Sequence, residues 1–373
     1  MPDYAMMRPD KNRYEGKILV VMPRQKFVGL VGEIPARFKG VIEFVSKKEY
    51  LQAAALVSQA SLVITHSYLS PRANYFILQA RTRGIPTLLL VDGPLEWSNS
   101  YLNPSLRKTN AYFRGYMMEP LIHDAILAVS AAQAGYLAFR NPDRGITFMT
   151  YNNKRLSSVK STASSAGRWQ FLITTAKTPY FDDTEKNNLV HLLTQLTAAL
   201  EQGGYSYVFR IFDNALQEAL SPKENLLEGS FEEVLQQVEC VIGTPSSVLL
   251  QSMASDKPVG TLIYRDSPLF YQSGWLVGGG QCSLDATLAS MLCREDTRMD
   301  FQTYCLEQNI SQQDFFTALD GVVKQQPDRE KTTENLQTLR FENSILRSLL
   351  ESPLNFNPGY YFHRIKRRFF SRS

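Results

Sequence analysis

Two parallel-sheet α/β domains in tandem are the architecture this sequence predicts, on three observations. Short apolar runs alternate with helix-like stretches along most of the chain, the order produced by strand–helix–strand units. The runs, among them Lys17 to Met22 (KILVVM) and Pro86 to Val91 (PTLLLV), are apolar without alternation, as in strands covered on both faces. Finally, Leu156 to Arg168 (LSSVKSTASSAGR) is rich in small and hydroxyl residues, has no apolar period and divides the series in two. The expected divisions are 1–155, a linker 156–168, a second domain 169–330 and a helical, basic tail 331–373. A chain of 373 residues is long enough for two cores of ordinary size.

In the first half, KILVVM is followed by a helix-like Lys47 to Gln59, the strand Ser61 to Thr65 and a helix from Arg72 to Arg83. Gly84 stops that helix and Pro86 opens the next strand. His123 to Val129, Ser130 to Phe139 and Ile146 to Met149 continue the alternation as strand, helix and strand. Ligands on such sheets bind beyond the carboxyl ends of the strands. Two loops qualify: His66-Ser67-Tyr68, and Asp92 to Trp97 (DGPLEW). Trp97 offers a flat apolar face, and Glu96 or Asp92 a carboxylate able to take a proton. Each also has a plainer reading. Asp92-Gly93 makes a turn, Trp97 fills a gap between domains, and His66 is a hydrogen-bonded residue at a strand end.

The second half opens with the strand WQFLITT at Trp169, the loop Ala176 to Asp183 (AKTPYFDD) and a helix from Asp183 or Thr184 through Gln202. A strand from Tyr207 to Phe212 and a short amphipathic helix from Ser230 to Val238 follow. Then comes ECVIGTPSSVLLQSMASDKPV, Glu239 to Val259. Its apolar run stops at Gly243, and Val248, Leu249, Leu250, Met253 and Ala254 recur at helical spacing. The turn between holds Thr244, Pro245, Ser246 and Ser247 where a new helix exposes unpaired N–H groups, so it is an anion site by geometry and dipole. Each hydroxyl adds a hydrogen bond to a charged group, about 1.5–3 kcal/mol. The plainer reading is that Thr244 or Ser246 caps the helix. After the strand Gly260 to Tyr264, Arg265 to Gln281 carries three successive glycines and reads as a flexible loop near the cleft, without dinucleotide-fingerprint spacing.

The order SFEEVLQQVECVIGTPSSVLLQSMASDKPVGTL closely resembles the nucleotide-binding half of two-domain (GT-B) glycosyltransferases of bacterial surface polysaccharides. That superfamily includes Kdo transferases, sialyltransferases and the glycerol-phosphate polymerases of teichoic acid synthesis. The resemblance spans Leu172 to Tyr264. It implies two Rossmann-like domains facing each other across a cleft, with the donor phosphate on Thr244, Ser246 and Ser247. The acceptor would enter over His66 and Asp92 to Trp97, with Glu96 or Asp92 as base. Two positions depart from the family. Gln251 stands where relatives often carry an acidic residue, and Arg210-Ile211-Phe212-Asp213-Asn214 stands where they usually place His-Pro. Either Arg210 or Lys177 supplies the missing cation, or the donor differs, or catalysis has been lost. A CMP-activated acidic sugar such as Kdo is the preferred donor. A CDP-glycerol-type phosphotransferase and a non-catalytic glycan-binding scaffold are the alternatives.

Asp182 and Asp183 are adjacent rather than alternating and read as cap and dipole partner of a helix, so neither metal nor cofactor is expected. Cys240, Cys282, Cys293 and Cys305 fit neither a zinc site nor a redox pair. The tail residues Arg364, Lys366, Arg367, Arg368 and Arg372 carry more positive charge than the chain's whole formal +4, which argues against a basic, nucleic-acid-binding body. With Tyr360 and Phe369 among these cations the tail suits an anionic membrane surface, about 1 kcal/mol per basic residue, or else is solvated or packed. No run of about 18 apolar residues occurs, and the charged N-terminus does not read as a signal peptide. The expectation is a cytoplasmic protein, peripheral at the inner face of the cytoplasmic membrane, acting on a lipid-linked glycan.

Overall fold

A computed structural model describes residues 16–68, 70–104, 118–119, 121–157, 167–265, 272–279 and 282–324. The first sheet is built from β1 (Lys17–Val20), β2 (Ile42–Phe44), β3 (Ala60–Thr65), β4 (Thr87–Leu90), β5 (Ala125–Ala128) and β6 (Thr147–Thr150). Between them run α1 (Arg24–Val31), α2 (Ala53–Ser58), α3 (Pro71–Arg81), α4 (Trp97–Leu102) and α5 (Ala131–Arg140), and the single turn α6 (Lys154–Ser157) leads out. The spatial order is β2-β1-β3-β4-β5-β6 with every pair parallel. The helices begin where side-chain caps allow: Ser70 accepts the Ala73 N–H ahead of Pro71, and Ser130 accepts that of Gln133.

The second sheet contains β7 (Trp169–Thr174), β8 (Tyr207–Arg210), β9 (Val238–Gly243), β10 (Val259–Leu262) and β11 (Trp275–Val277), in the order β11-β10-β9-β7-β8 and again all parallel. Its helices are α7 (Asp183–Gln202), α8 (Asn214–Leu220), α9 (Phe231–Leu235), α10 (Ser247–Ala254) and α11 (Leu284–Leu292). Asp182 caps α7 through the Glu185 N–H, the cap role expected of the pair. Gly243 is required where β9 crosses β7, because a Cβ there would lie 2.7 Å from the Thr174 carbonyl oxygen. Trp275 to Val277 corrects the expectation of a loop over Arg265 to Gln281: the three residues pair with β10 as an edge strand. Strands β2 and β11, three residues each, are too short to leave a periodic signature.

Two helices finish the described chain, α12 (Asp296–Asn309) and α13 (Phe315–Lys324), and they carry it back to the first sheet. Phe315 packs edge-on against Phe27 at 5.4 Å and against Tyr151 at 5.9 Å. The Ser311 N–H meets the Val129 carbonyl at 2.8 Å and the Asn152 N–H that of Gln313 at 2.6 Å. Residues 310–324, placed by sequence in the second domain, therefore complete the core of the first. One apolar cluster runs unbroken from Ile18, Phe27 and Phe315 through Tyr151 and Leu156 to Leu249, Leu250 and Val241 of the second sheet. The joint between the sheets is packed as a protein interior is. The tail, including Tyr360, Arg364, Lys366, Arg367, Arg368 and Phe369, lies outside the described residues.

Candidate functional site

In each sheet the second strand lies on one side of the first and the third on the other. The topological switch points are thus between β1 and β3, and between β7 and β9. Crevices at such points, beyond the carboxyl ends of the strands, are where open parallel sheets hold ligands. The two carboxyl edges approach each other where Glu96, after β4, pairs with Arg265, after β10, at 2.8 Å. The candidate site is the cleft these edges enclose.

On the first side, the loop after β4 is fixed from beneath. The Tyr151 hydroxyl donates to the Val91 carbonyl at 2.7 Å, Gln133 Nε2 to Gly93 at 3.1 Å and Asn153 Nδ2 to Asp92 at 3.3 Å. The Asp92 carboxylate pairs with Lys26 Nζ of α1 at 2.8 Å. His66, at the end of β3, is pushed down to about 4 by burial first and by Lys26 second, against the opposing pull of Asp92. It is a neutral imidazole near pH 7. Glu96 Oε1 accepts from the Ser98 hydroxyl at 2.6 Å as well as from Arg265. Trp97 opens α4, but its side chain lies outside the described residues.

On the second side, α10 points its first turn into the β7/β9 crevice. Ser246 is the N-cap residue, its side chain does not cap the helix, and both Ser246 and Ser247 are half-buried. Thr244 behaves differently from its neighbours. It is wholly buried, and its Oγ1 accepts the Ala176 N–H at 2.6 Å, which ties the turn to the loop after β7. Its expected part in holding phosphate is corrected to this internal one. Lys177, in the same loop, is exposed.

Arg210 is corrected more sharply. Its guanidinium turns into the fold and donates to the carbonyls of Leu226 at 2.7 Å, Glu228 at 3.1 Å and Gly229 at 2.9 Å. Those carbonyls continue a strand-like segment that pairs with Phe209 of β8, so Arg210 is a structural clasp rather than a cation for a ligand. Burial lowers its pKa, as expected for a charge among carbonyls. Asp213, at the place of the missing His-Pro, caps α8 through the Leu216 N–H and accepts the Tyr180 hydroxyl at 3.0 Å.

No protein-family model matches the chain, and no curated protein sequence matches it. Solved structures do. A Listeria monocytogenes protein assigned as UDP-N-acetylglucosamine 2-epimerase aligns over 84% of this chain and 98% of its own with 9% identity and a TM-score of 0.50. The two-domain fold is the GT-B fold. Anabaena HepE, solved with UDP and glucose, covers 87% of this chain and 99% of its own at 13% identity, TM-score 0.45. A UDP-forming trehalose-phosphate synthase from Burkholderia xenovorans covers 78% and 80% at 11% identity, TM-score 0.43. At these identities the likeness is one of fold.

The GT-B cleft contains one residue that sequence reasoning passed over. The side chain of Arg265 is 8% exposed and sits at a hub, with its Nε 3.5 Å from the Glu185 carboxylate and its guanidinium 4.4 Å above the Phe181 ring and 4.9 Å from that of Tyr264. It also donates to the Pro179 carbonyl, as does the Tyr264 hydroxyl. The available signal was its position, an arginine directly after an apolar strand at a carboxyl edge. Gln251, where relatives often carry an acid, faces away from the cleft: it is buried, and its Nε2 donates to the Arg155 carbonyl at 2.6 Å. No cluster of three or more His, Cys, Asp or Glu side chains placed to hold a metal occurs among the described residues, and none of their helices is long and apolar enough to cross a membrane.

Proposed function

We propose that this protein is a glycosyltransferase that moves a sugar from a nucleotide-activated donor to an acceptor hydroxyl. The observation that carries the reading is the first turn of α10, with Ser246 and Ser247, opening into the switch-point crevice of a GT-B fold. Its N–H groups and dipole suit a donor phosphate, and exposed Lys177 lies in the adjoining loop. In the reaction the acceptor oxygen bonds to the anomeric carbon, the bond from that carbon to the phosphate oxygen breaks, and the hydroxyl proton passes to a carboxylate. Glu96 is the first choice for that base and Asp92 the second. Pre-organised donors at the helix end then stabilise the charge on the leaving phosphate, and no metal is assigned a part.

The donor class rests on sequence resemblance, which favours a CMP-linked acidic sugar such as Kdo. A UDP-sugar is the competing choice, since the Listeria structure is named for UDP-N-acetylglucosamine. A lipid-linked glycan at the inner face of the cytoplasmic membrane, reached through the basic aromatic tail, completes the proposal. The test is thermal stabilisation by CMP, CDP, UDP, UMP and GDP, with and without EDTA, on the wild type and on Ser246→Ala/Ser247→Ala. A nucleotide at a hundred times its Kd stabilises by about 2.7 kcal/mol. A CMP shift that the double variant abolishes supports the reading in full, and a UDP shift moves the donor class. No shift with any nucleotide favours the non-catalytic scaffold.

A further inference from the structure

The pair Glu96–Arg265 joins the two domains by charge, and each partner also has contacts within its own domain. Arg265 belongs to the second domain, which fixes its cation over Phe181 and Tyr264, donates one guanidinium nitrogen to the Pro179 carbonyl and places Glu185 beside Nε. One nitrogen of the fork is left to reach across the cleft. Glu96 belongs to the first domain, and its Oε1 is shared between that nitrogen and the Ser98 hydroxyl 2.6 Å away. Its Oε2 has no partner among the described residues. The single charge-assisted hydrogen bond from Arg265 and the one from Ser98 converge on Oε1 and fix the position of that oxygen. The loop that carries Glu96 is the one packed on Tyr151, Gln133 and Asn153, so its rigid base ends in a carboxylate aimed from the other domain.

We propose that Arg265 is a positioning residue for Glu96. The carboxylate is oriented only while the cleft is closed, with one oxygen anchored and the other turned to the acceptor. Opening the domains separates the pair, leaves Glu96 tethered by Ser98 alone and suspends its competence as a base. Closure and the base are thereby one event, built from residues 169 positions apart. The catalytic half of this inference rests on the proposed function; the latch does not.

The two halves are tested separately in the full-length protein. For the latch, small-angle scattering and amide hydrogen exchange are compared for the wild type, Arg265→Ala, Arg265→Lys, Glu96→Gln and the double variant Arg265→Ala/Glu96→Gln. Arg265→Ala and Glu96→Gln should each raise the radius of gyration and speed exchange about tenfold in residues 92–96. The double variant should add nothing, as expected of two halves of one interaction, and Arg265→Lys should recover part of the effect. A folded Arg265→Ala or Glu96→Gln protein with wild-type scattering and exchange overturns the latch. For the catalytic half, Arg265→Lys should lower kcat while leaving KM for the stabilising nucleotide-sugar nearly unchanged. If it opens the cleft and kcat does not fall, the assignment of Glu96 as base is wrong and the latch stands.

Discussion

The two sheets wind the same way and place a crevice at the same topological position, yet they furnish it with opposite chemistry. In the first, ionised side chains of both signs meet, Lys26 against Asp92 beside a neutral His66. In the second, the crevice is lined by hydroxyls and backbone N–H groups at a helix end, while the arginine of β8 is turned inward. Topology fixes where a ligand can sit, and the side chains decide what it can be. A backbone dipole is a permanent, unprotonatable donor, suited to an anion that departs. A carboxylate held by a lysine or an arginine is suited to proton transfer.

The largest expected effect separates two cations that sequence alone could not tell apart. Arg210→Ala removes a buried side chain together with its three hydrogen bonds to carbonyls of the 226–229 segment, and hydrogen bonds from a charged group contribute about 1.5–3 kcal/mol each. Urea unfolding should show a loss of about 4 kcal/mol with nucleotide affinity unchanged. Lys177→Ala should do the reverse: stability within about 0.5 kcal/mol, anion affinity reduced. If Arg210→Ala weakens nucleotide binding in protein that remains folded, the structural assignment of Arg210 fails. Next comes Gln251→Glu, which restores the acidic residue of relatives. The new carboxylate oxygen would face the Arg155 carbonyl in a buried joint, so a loss of about 3 kcal/mol is expected, with no gain in nucleotide affinity.

These two variants also mark how far the sequence could be read. The strands KILVVM, SLVIT, PTLLLV and WQFLITT were legible because a strand covered on both faces must be apolar throughout. The α10 turn was legible because glycine, proline and serines between a strand and a helix have few other uses. The orientation of Arg210 was not, because YVFRIF carries no mark of which neighbour the guanidinium meets. Its partners lie sixteen or more residues on, in a segment with no motif. Thr244 was misjudged for a similar reason: its burial follows from the register that pairs Gly243 with Thr174, a tertiary fact. Arg265 was overlooked because a contact between domains leaves no local periodicity. The return of residues 310–324 was hidden because apolar faces do not announce which sheet they will cover.

Acid is a gentler way to probe the first domain. His123 is 1% exposed, its Nε2 lies 2.9 Å from the Thr65 hydroxyl, and burial, with Arg81 nearby, pushes it down to about 3. The unfolded chain therefore binds a proton near 6.5 that the folded chain refuses. The stability tied to neutral His123 is complete above pH 6.5 and is lost progressively as the pH falls toward 3. The slope approaches about 1.4 kcal/mol per pH unit for one such group, hence about 2 kcal/mol between pH 6.5 and 5. Urea midpoints at pH 7.5 and 5 measure it together with the similar share from His66, and His123→Gln should remove its own part, roughly half of the dependence. An unchanged slope in that variant would place the acid sensitivity elsewhere.

The smallest effect on stability is the most informative about the crevice. Lys26 and Asp92 are 37% and 43% exposed, so solvent screens the pair, and Asp92→Asn should change the unfolding free energy by less than about 0.5 kcal/mol. Its electrostatic consequence is directional. Asp92 is the influence that raises the His66 pKa, and Lys26, released from its partner, would oppose protonation more strongly. The His66 titration, followed by NMR, should therefore move below its starting value of about 4, the sign expected if lysine, carboxylate and imidazole form one electrostatic unit. A null shift would mean that burial alone sets His66, and an upward one that Asp92 does not favour its protonation. The first crevice would then be a packed loop end with a surface ion pair, and the functional asymmetry between the two sheets would rest on α10 and the Glu96–Arg265 contact.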